Sequence, residues 1–187
     1  MQNRYSEHKN IYIMGFMGCG KTTVGTQLAE KLNRPFKDTD IIIEKKTGLS
    51  VSDIFKTYGE NKFRAIEKEI ISEVSQLKNY VIALGGGAVM FSENWEKISS
   101  TGITVTLSCS PEIISSRLKK DSTRPLVNSS SKNNVQFIKD LVRKRKPYYK
   151  KADLYLHSDT ALEPDNIADK IILYLNSENL LSKDEKN

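Results

Sequence analysis

Gly15-Phe16-Met17-Gly18-Cys19-Gly20-Lys21-Thr22 reads G-x-x-x-x-G-K-T, and the rest of the chain is interpreted from it. The apolar run Ile11-Tyr12-Ile13-Met14 leads in, and the helical pattern Val24, Leu28, Ala29, Leu32 leads out. Strand, glycine loop and helix in that order are the context of a phosphate-binding P-loop. Glycine permits backbone conformations in which successive N–H groups turn inward around phosphate oxygens. The following helix aims its positive dipole end at the same point. Gly18, Cys19, Gly20 and Thr23 belong to this nucleotide-binding stretch. Lys21 reaches the β- and γ-phosphates as a point charge, and Thr22 offers its hydroxyl to Mg²⁺.

Upstream and downstream, apolar strands alternate with helical patterns. Strands are expected at residues 10–15, Phe36–Asp40, Val81–Leu84, Ile103–Leu107 and Asp153–His157. Helices are expected from the P-loop to about Leu32, from Ile41 to near Gly48, from the Ser50 cap to Tyr58-Gly59, and from Glu60 to Leu77. Further helices follow over 92–100, Pro111–Leu118, about 135–150 and 165–176. Alternation of this kind predicts an α/β fold with a parallel sheet covered on both faces. Ligands on such sheets bind at the carboxyl ends of the strands. The P-loop, Asp38 and Asp40, and Gly85-Gly86-Gly87 all fall at such ends, which predicts a single site.

The chain has 187 residues, enough for one domain of this kind. We expect one P-loop domain over 1–187, with a polar loop able to act as a lid at about 119–134 and a frayed tail at about 177–187. Hydrophobic residues make up 38% of the chain, and no stretch of about 18 apolar residues predicts a membrane span. The net charge of +6 admits nucleic acid but equally a polyanionic small substrate, and aromatic RNA-binding signatures are absent, which disfavours nucleic acid. Cys19 and Cys109 lack zinc spacing, and a disulfide at a phosphate loop is not expected. A reducing, cytoplasm-like compartment fits.

Asp38 and Asp40 lie one residue apart at the expected strand end, where a period of two points both side chains the same way. One carboxylate can serve Mg²⁺ and the other a substrate hydroxyl. Asp40 can equally cap the helix beginning at Ile41. The triple glycine permits close approach of a ligand to bare backbone, or forms a flexible turn. Arg64, on the helix face away from Phe63, Ile66 and Ile70, and Arg145, in a basic run, are candidates for bidentate carboxylate or phosphate recognition. Taken singly, each arginine reads as a solvated surface residue. Arg124, beside Pro125 in a polar loop, can be carried onto a phosphate by loop closure.

In order, these pieces resemble the shikimate kinase family. The resemblance rests on the P-loop, Asp38-Thr39-Asp40 with Ile43-Glu44, Gly59-Glu60-x-x-Phe63-Arg64-x-x-Glu67, Gly85-Gly86-Gly87, Arg124-Pro125-Leu126 and Arg145-x-Pro147-x-Tyr149-x-x-Ala152-Asp153, and covers roughly residues 10–176. It implies a five-stranded parallel sheet of the nucleoside monophosphate kinase type with a mobile lid. It also implies transfer of the ATP γ-phosphoryl group to the 3-hydroxyl of shikimate by a monomer that needs Mg²⁺. Carried over, Asp40, Arg64, Gly86, Gly87 and Arg145 are the shikimate contacts. Lys21, Thr22 and Asp38 form the phosphate and metal group. Arg117 packs on adenine, and Arg124 is the lid arginine. Lys21, Asp40 and Arg124 are the residues expected to act in catalysis. The chain departs from the family in the loop 158–164, at Tyr148 where leucine is usual, and at Cys19 where a smaller residue is usual. A kinase of another hydroxy acid such as gluconate, an inactive kinase-like binding protein, and a basic nucleic-acid-binding protein are the alternatives.

Overall fold

A computed structural model of the chain describes residues 9–120, 135–157 and 163–181. Arg124, most of the expected lid, the loop 158–162 and residues 182–187 lie outside them.

Among the described residues, five strands make one parallel sheet. They are β1 (Asn10–Gly15), β2 (Phe36–Asp38), β3 (Val81–Ala83), β4 (Gly102–Ser108) and β5 (Leu154–His157), in the order β2-β3-β1-β4-β5. The central strand β1 pairs Ile11 with Val81 on one side and with Ile103 on the other. Buried on both faces, β1 is apolar in near-continuous sequence, as an interior parallel strand must be. The helices are α1 (Lys21–Lys31), α2 (Thr39–Thr47), α3 (Val51–Val74), α4 (Ser92–Thr101), α5 (Pro111–Lys120), α6 (Val135–Tyr149) and α7 (Pro164–Ser177). Leu28, Ile43, Ile70, Ile71, Ile98, Ile171 and Leu175 from these helices close over Ile13, Ile82, Val105 and Leu107 of the sheet. None of the helices among the described residues is long and apolar enough to cross a membrane.

Several boundaries differ from the sequence-based reading. Residues 51–74 run as one helix broken at Gly59, whose φ of 77° and ψ of 175° separate the two expected pieces. Helix α5 continues to Lys120, two residues into the stretch expected to form the lid. Leu180 and Leu181 are buried, so the chain is held beyond the end of α7 and does not fray from Ser177.

The order of the strands is secured by polar contacts as well as apolar ones. Asp153 lies just before β5, and its Oδ2 accepts from both the backbone N–H (2.8 Å) and the hydroxyl (2.7 Å) of Thr104 on β4. Its own N–H donates back to the Thr104 hydroxyl at 3.0 Å. The buried Thr106 hydroxyl donates to the Tyr149 carbonyl at 2.8 Å, fixing the end of α6 to the same strand. Asp153→Ala leaves the buried Thr104 hydroxyl without its acceptor. The expected loss is about 1–3 kcal/mol of unfolding free energy, read by urea denaturation, with little change in substrate KM. An unchanged midpoint would show that this contact does not hold β5.

Candidate active site

The P-loop joins β1 to α1 at the centre of the sheet. Gly20 stands at the N-terminus of α1 with φ 89°, a left-handed conformation that glycine adopts without steric cost. No side chain caps this helix, so its first N–H groups point into the loop without a protein acceptor from the cap residue. Lys21 is 9% exposed, and its ammonium donates to the Phe16 carbonyl at 3.2 Å, folded back over the loop it would serve. Thr23, the third residue of α1, is exposed at the same end. Arg117 on α5 donates to the Gly18 carbonyl at 2.9 Å and approaches the Cys109 sulfur at 3.7 Å. Cys19 and Cys109 are buried free thiols. The thiol of Cys109 faces the Cys19 carbonyl at 3.8 Å. The neighbouring Cys109 thiol and burial push the Cys19 thiol far above its usual range, so Cys19 stays protonated.

The two aspartates do not lie together on a strand. Strand β2 ends at Asp38, and the chain turns at once into α2 because the Asp38 carboxylate caps that helix. Its Oδ1 accepts from the Asp40 N–H at 3.0 Å and the Ile41 N–H at 3.5 Å. The cap is therefore Asp38, and Asp40 sits in the first turn of α2. The second oxygen of Asp38, Oδ2, accepts from the Thr22 hydroxyl at 2.7 Å. That brings a carboxylate and a hydroxyl, both hard oxygen donors, together at the mouth of the P-loop.

Asp40 faces the glycine run instead. A methyl group at Gly85 would lie 2.8 Å from Asp40 Oδ1 and 2.9 Å from Glu67 Oε1, so the two carboxylates converge where a side chain is missing. The Gly85 N–H donates to the buried Thr39 hydroxyl at 2.9 Å, tying the run to α2. The Gly86 carbonyl accepts from Arg145 Nη1 at 3.3 Å and from the Tyr149 hydroxyl at 2.6 Å. Burial pushes the Tyr149 phenol up to about 12, so it stays a donor. A methyl at Gly87 would lie 2.6–2.7 Å from the terminal nitrogens of Arg64.

Arg64 is therefore not the solvated residue that its helix face predicted. Its side chain is 17% exposed. Glu60 Oε1 accepts from Nε at 3.2 Å and Nη2 at 3.1 Å, and Glu67 Oε2 accepts from Nη1 at 2.8 Å. The rings of Phe63, Phe91 and Phe55 stand 5.1, 5.3 and 6.0 Å from the guanidinium carbon. Arg145 lies over the Phe16 ring at 5.0 Å. Asp40, Arg64, Arg145, Gly86 and Gly87 thus meet on one short segment beside the P-loop.

Sequence reasoning gave no site role to Glu67, Thr39 or Tyr149. The i,i+3 spacing of Arg64 and Glu67 on a helix was the available signal for the first. Glu67 is 1% exposed, and its Oε1 has no hydrogen-bond partner. Burial raises its carboxyl to about 6, against the pull of Arg64 and with a smaller push from Asp40.

A parallel sheet with a glycine loop at the end of its central strand, and charged groups gathered beside that loop, defines a P-loop kinase. A family model described as shikimate kinase matches residues 17–176. The shikimate kinase of Thermodesulfovibrio yellowstonii is 43% identical over 164 residues, 88% of this chain and 93% of its own. That of Caldicellulosiruptor saccharolyticus is 45% identical, again over 88% of this chain and 94% of its own. Shikimate kinase from Acinetobacter baumannii, solved in complex with shikimate, matches with a TM-score of 0.85 at 37% identity, over 92% of this chain and 95% of that one. The chain belongs to the shikimate kinase family, whose members are ATP-dependent kinases.

Glu67 makes the stability of this site depend on pH. Its folded pKa lies above the usual 4.5, so it favours the fold most while protonated in both states, and that benefit fades as pH rises through about 6. Relative to Glu67→Gln, the wild type should lose up to about 2 kcal/mol of unfolding free energy between pH 4.5 and 7. Urea titrations across that range measure it. Parallel curves for the two proteins would contradict the shift.

Proposed function

We propose that the chain transfers the γ-phosphoryl group of ATP to the 3-hydroxyl of shikimate. The observation that carries this reading is the convergence of two guanidinium groups and a carboxylate on Gly85–Gly87, beside the P-loop. Shikimate has one carboxylate and neighbouring hydroxyls, and an arginine pair with an aspartate is the matching donor and acceptor set.

In this reading Arg64 and Arg145 hold the acceptor carboxylate over Gly86 and Gly87, and Asp40 accepts a hydrogen bond from the reacting hydroxyl. That oxygen attacks phosphorus in line, the bond to the β-phosphate oxygen breaks, and Asp40 takes the hydroxyl proton. The transition state is loose, so orientation counts at least as much as basicity. The N–H groups of Gly18–Thr23 cradle the phosphates, and Lys21 swings from the Phe16 carbonyl onto the β- and γ-oxygens. Thr22 and Asp38 supply one hydroxyl and one carboxylate, a set that would hold Mg²⁺. When bound, the ion would offset the negative charge of the phosphates. Arg117, already against the loop at Gly18, packs on adenine, and Arg124, outside the described residues, is the lid arginine on the transferring phosphate. We read residues 1–187 as one kinase domain acting as a monomer in a cytoplasm-like compartment, in keeping with its unbridged thiols.

Coupled ADP release with a panel of hydroxy acids tests the acceptor. Shikimate should support turnover with kcat/KM far above gluconate; equal or greater use of another acid would overturn the assignment. The two aspartates separate in the same assay. Asp40→Asn should lower kcat by about 10²–10⁴ at any Mg²⁺ concentration. Asp38→Asn should be partly relieved by added Mg²⁺. Near-normal kcat in Asp40→Asn would remove Asp40 from proton transfer.

A further inference from the structure

Phe91 is the part of the arginine's surroundings that neither the motifs nor the fold explains. It directly follows the short helical turn Ala88–Met90 and opens α4 in extended conformation, with φ −98° and ψ 125°. Its side chain is 43% exposed, and it does not belong to the buried core or to the residues packed against it. Leaving that much of a phenyl ring in water forgoes much of the gain from burying it. The contact that locates the ring is with Arg64, whose guanidinium carbon lies 5.3 Å from its centroid.

The other constraints on Arg64 act in the plane of the guanidinium. Glu60 takes Nε and Nη2, and Glu67 takes Nη1. A guanidinium has five N–H groups, so one remains on each terminal nitrogen, on the edge turned to Gly87. Phe55 and Phe63 form one tilted pair, with centroids 4.5 Å apart, on the same helix as the arginine. Phe91 arrives from a different element, continuous with Gly85–Gly87. It is therefore placed to link the position of the glycine segment to that of the arginine.

We propose that Phe91 is a positioning residue for the acceptor. It covers the guanidinium of Arg64, keeps water from it, and strengthens the ion pair that the remaining N–H edge makes with the acceptor carboxylate. A charge pair shielded from solvent is stronger and less screened by salt than an exposed one. The proposal rests on the reading of Arg64 as part of the carboxylate clamp.

The test uses the whole enzyme with shikimate and ATP. Phe91→Leu keeps an apolar side chain without a ring, and Phe91→Tyr keeps the ring. Phe91→Leu should raise shikimate KM by about two- to tenfold, with kcat and ATP KM changed far less. Its shikimate KM should also climb more steeply with added NaCl than that of the wild type, and Phe91→Tyr should restore both. In an Arg64→Ala background, Phe91→Leu should add nothing. Wild-type KM in Phe91→Leu, no recovery in Phe91→Tyr, or a full additional loss in the Arg64→Ala background would each overturn the role of the ring. An unchanged shikimate KM in Arg64→Ala alone would overturn the clamp itself, and the ring's role with it.

Discussion

Three missing side chains hold the proposed acceptor half of this site together. Gly85, Gly86 and Gly87 leave β3 as bare backbone, and charged groups pack into the space that side chains would fill. Two carboxylates, Asp40 and Glu67, close on Gly85. The Gly86 carbonyl collects Arg145 and Tyr149 from α6. The guanidinium of Arg64, from α3, lies against Gly87. Side chains from α2, α3 and α6 can approach one another only because β3 delivers backbone without bulk between them. Burying charges together is costly unless they are paired, and Arg64 is paired with both Glu60 and Glu67.

The nucleotide half follows a different rule. There the proposed contacts come chiefly from backbone, through an uncapped helix end and a loop bent by glycine. The side chains around it hold stand-in contacts: Lys21 on the Phe16 carbonyl, Thr22 on Asp38, Arg117 on the Gly18 carbonyl. The acceptor half is instead built rigidly by ion pairs and aromatic rings. That division suits a kinase whose acceptor must be oriented before the phosphoryl group arrives.

The sheet was legible because its interior strands β1, β3 and β4 are buried on both faces and stand between turn signals. The P-loop was legible because its spacing carries its own mechanism. Asp40 was less so. A period-two argument placed it beside Asp38, but a carboxylate that caps a helix ends the strand at itself, and the next acid rotates onto another face. Arg64 was misjudged for a related reason. Its face of α3 is opposite the apolar stripe, but the glycine run and Phe91 come from elsewhere in the chain to cover it, and helical periodicity cannot register that. Glu67 was visible as a motif letter, yet its burial depends on the same tertiary contacts.

Gly87 offers the most direct test of the central claim. Its φ of −106° and ψ of −11° are open to alanine, so Gly87→Ala strains no backbone. The added methyl would meet the Arg64 guanidinium at under 3 Å and must displace it. Calorimetric titration of Gly87→Ala with shikimate and, separately, with ATP measures the consequence. The account predicts shikimate affinity lowered by roughly ten- to a hundredfold, with ATP affinity and thermal stability close to wild type. Wild-type shikimate affinity in that variant would mean that neither the bare glycine segment nor the position of Arg64 governs acceptor binding.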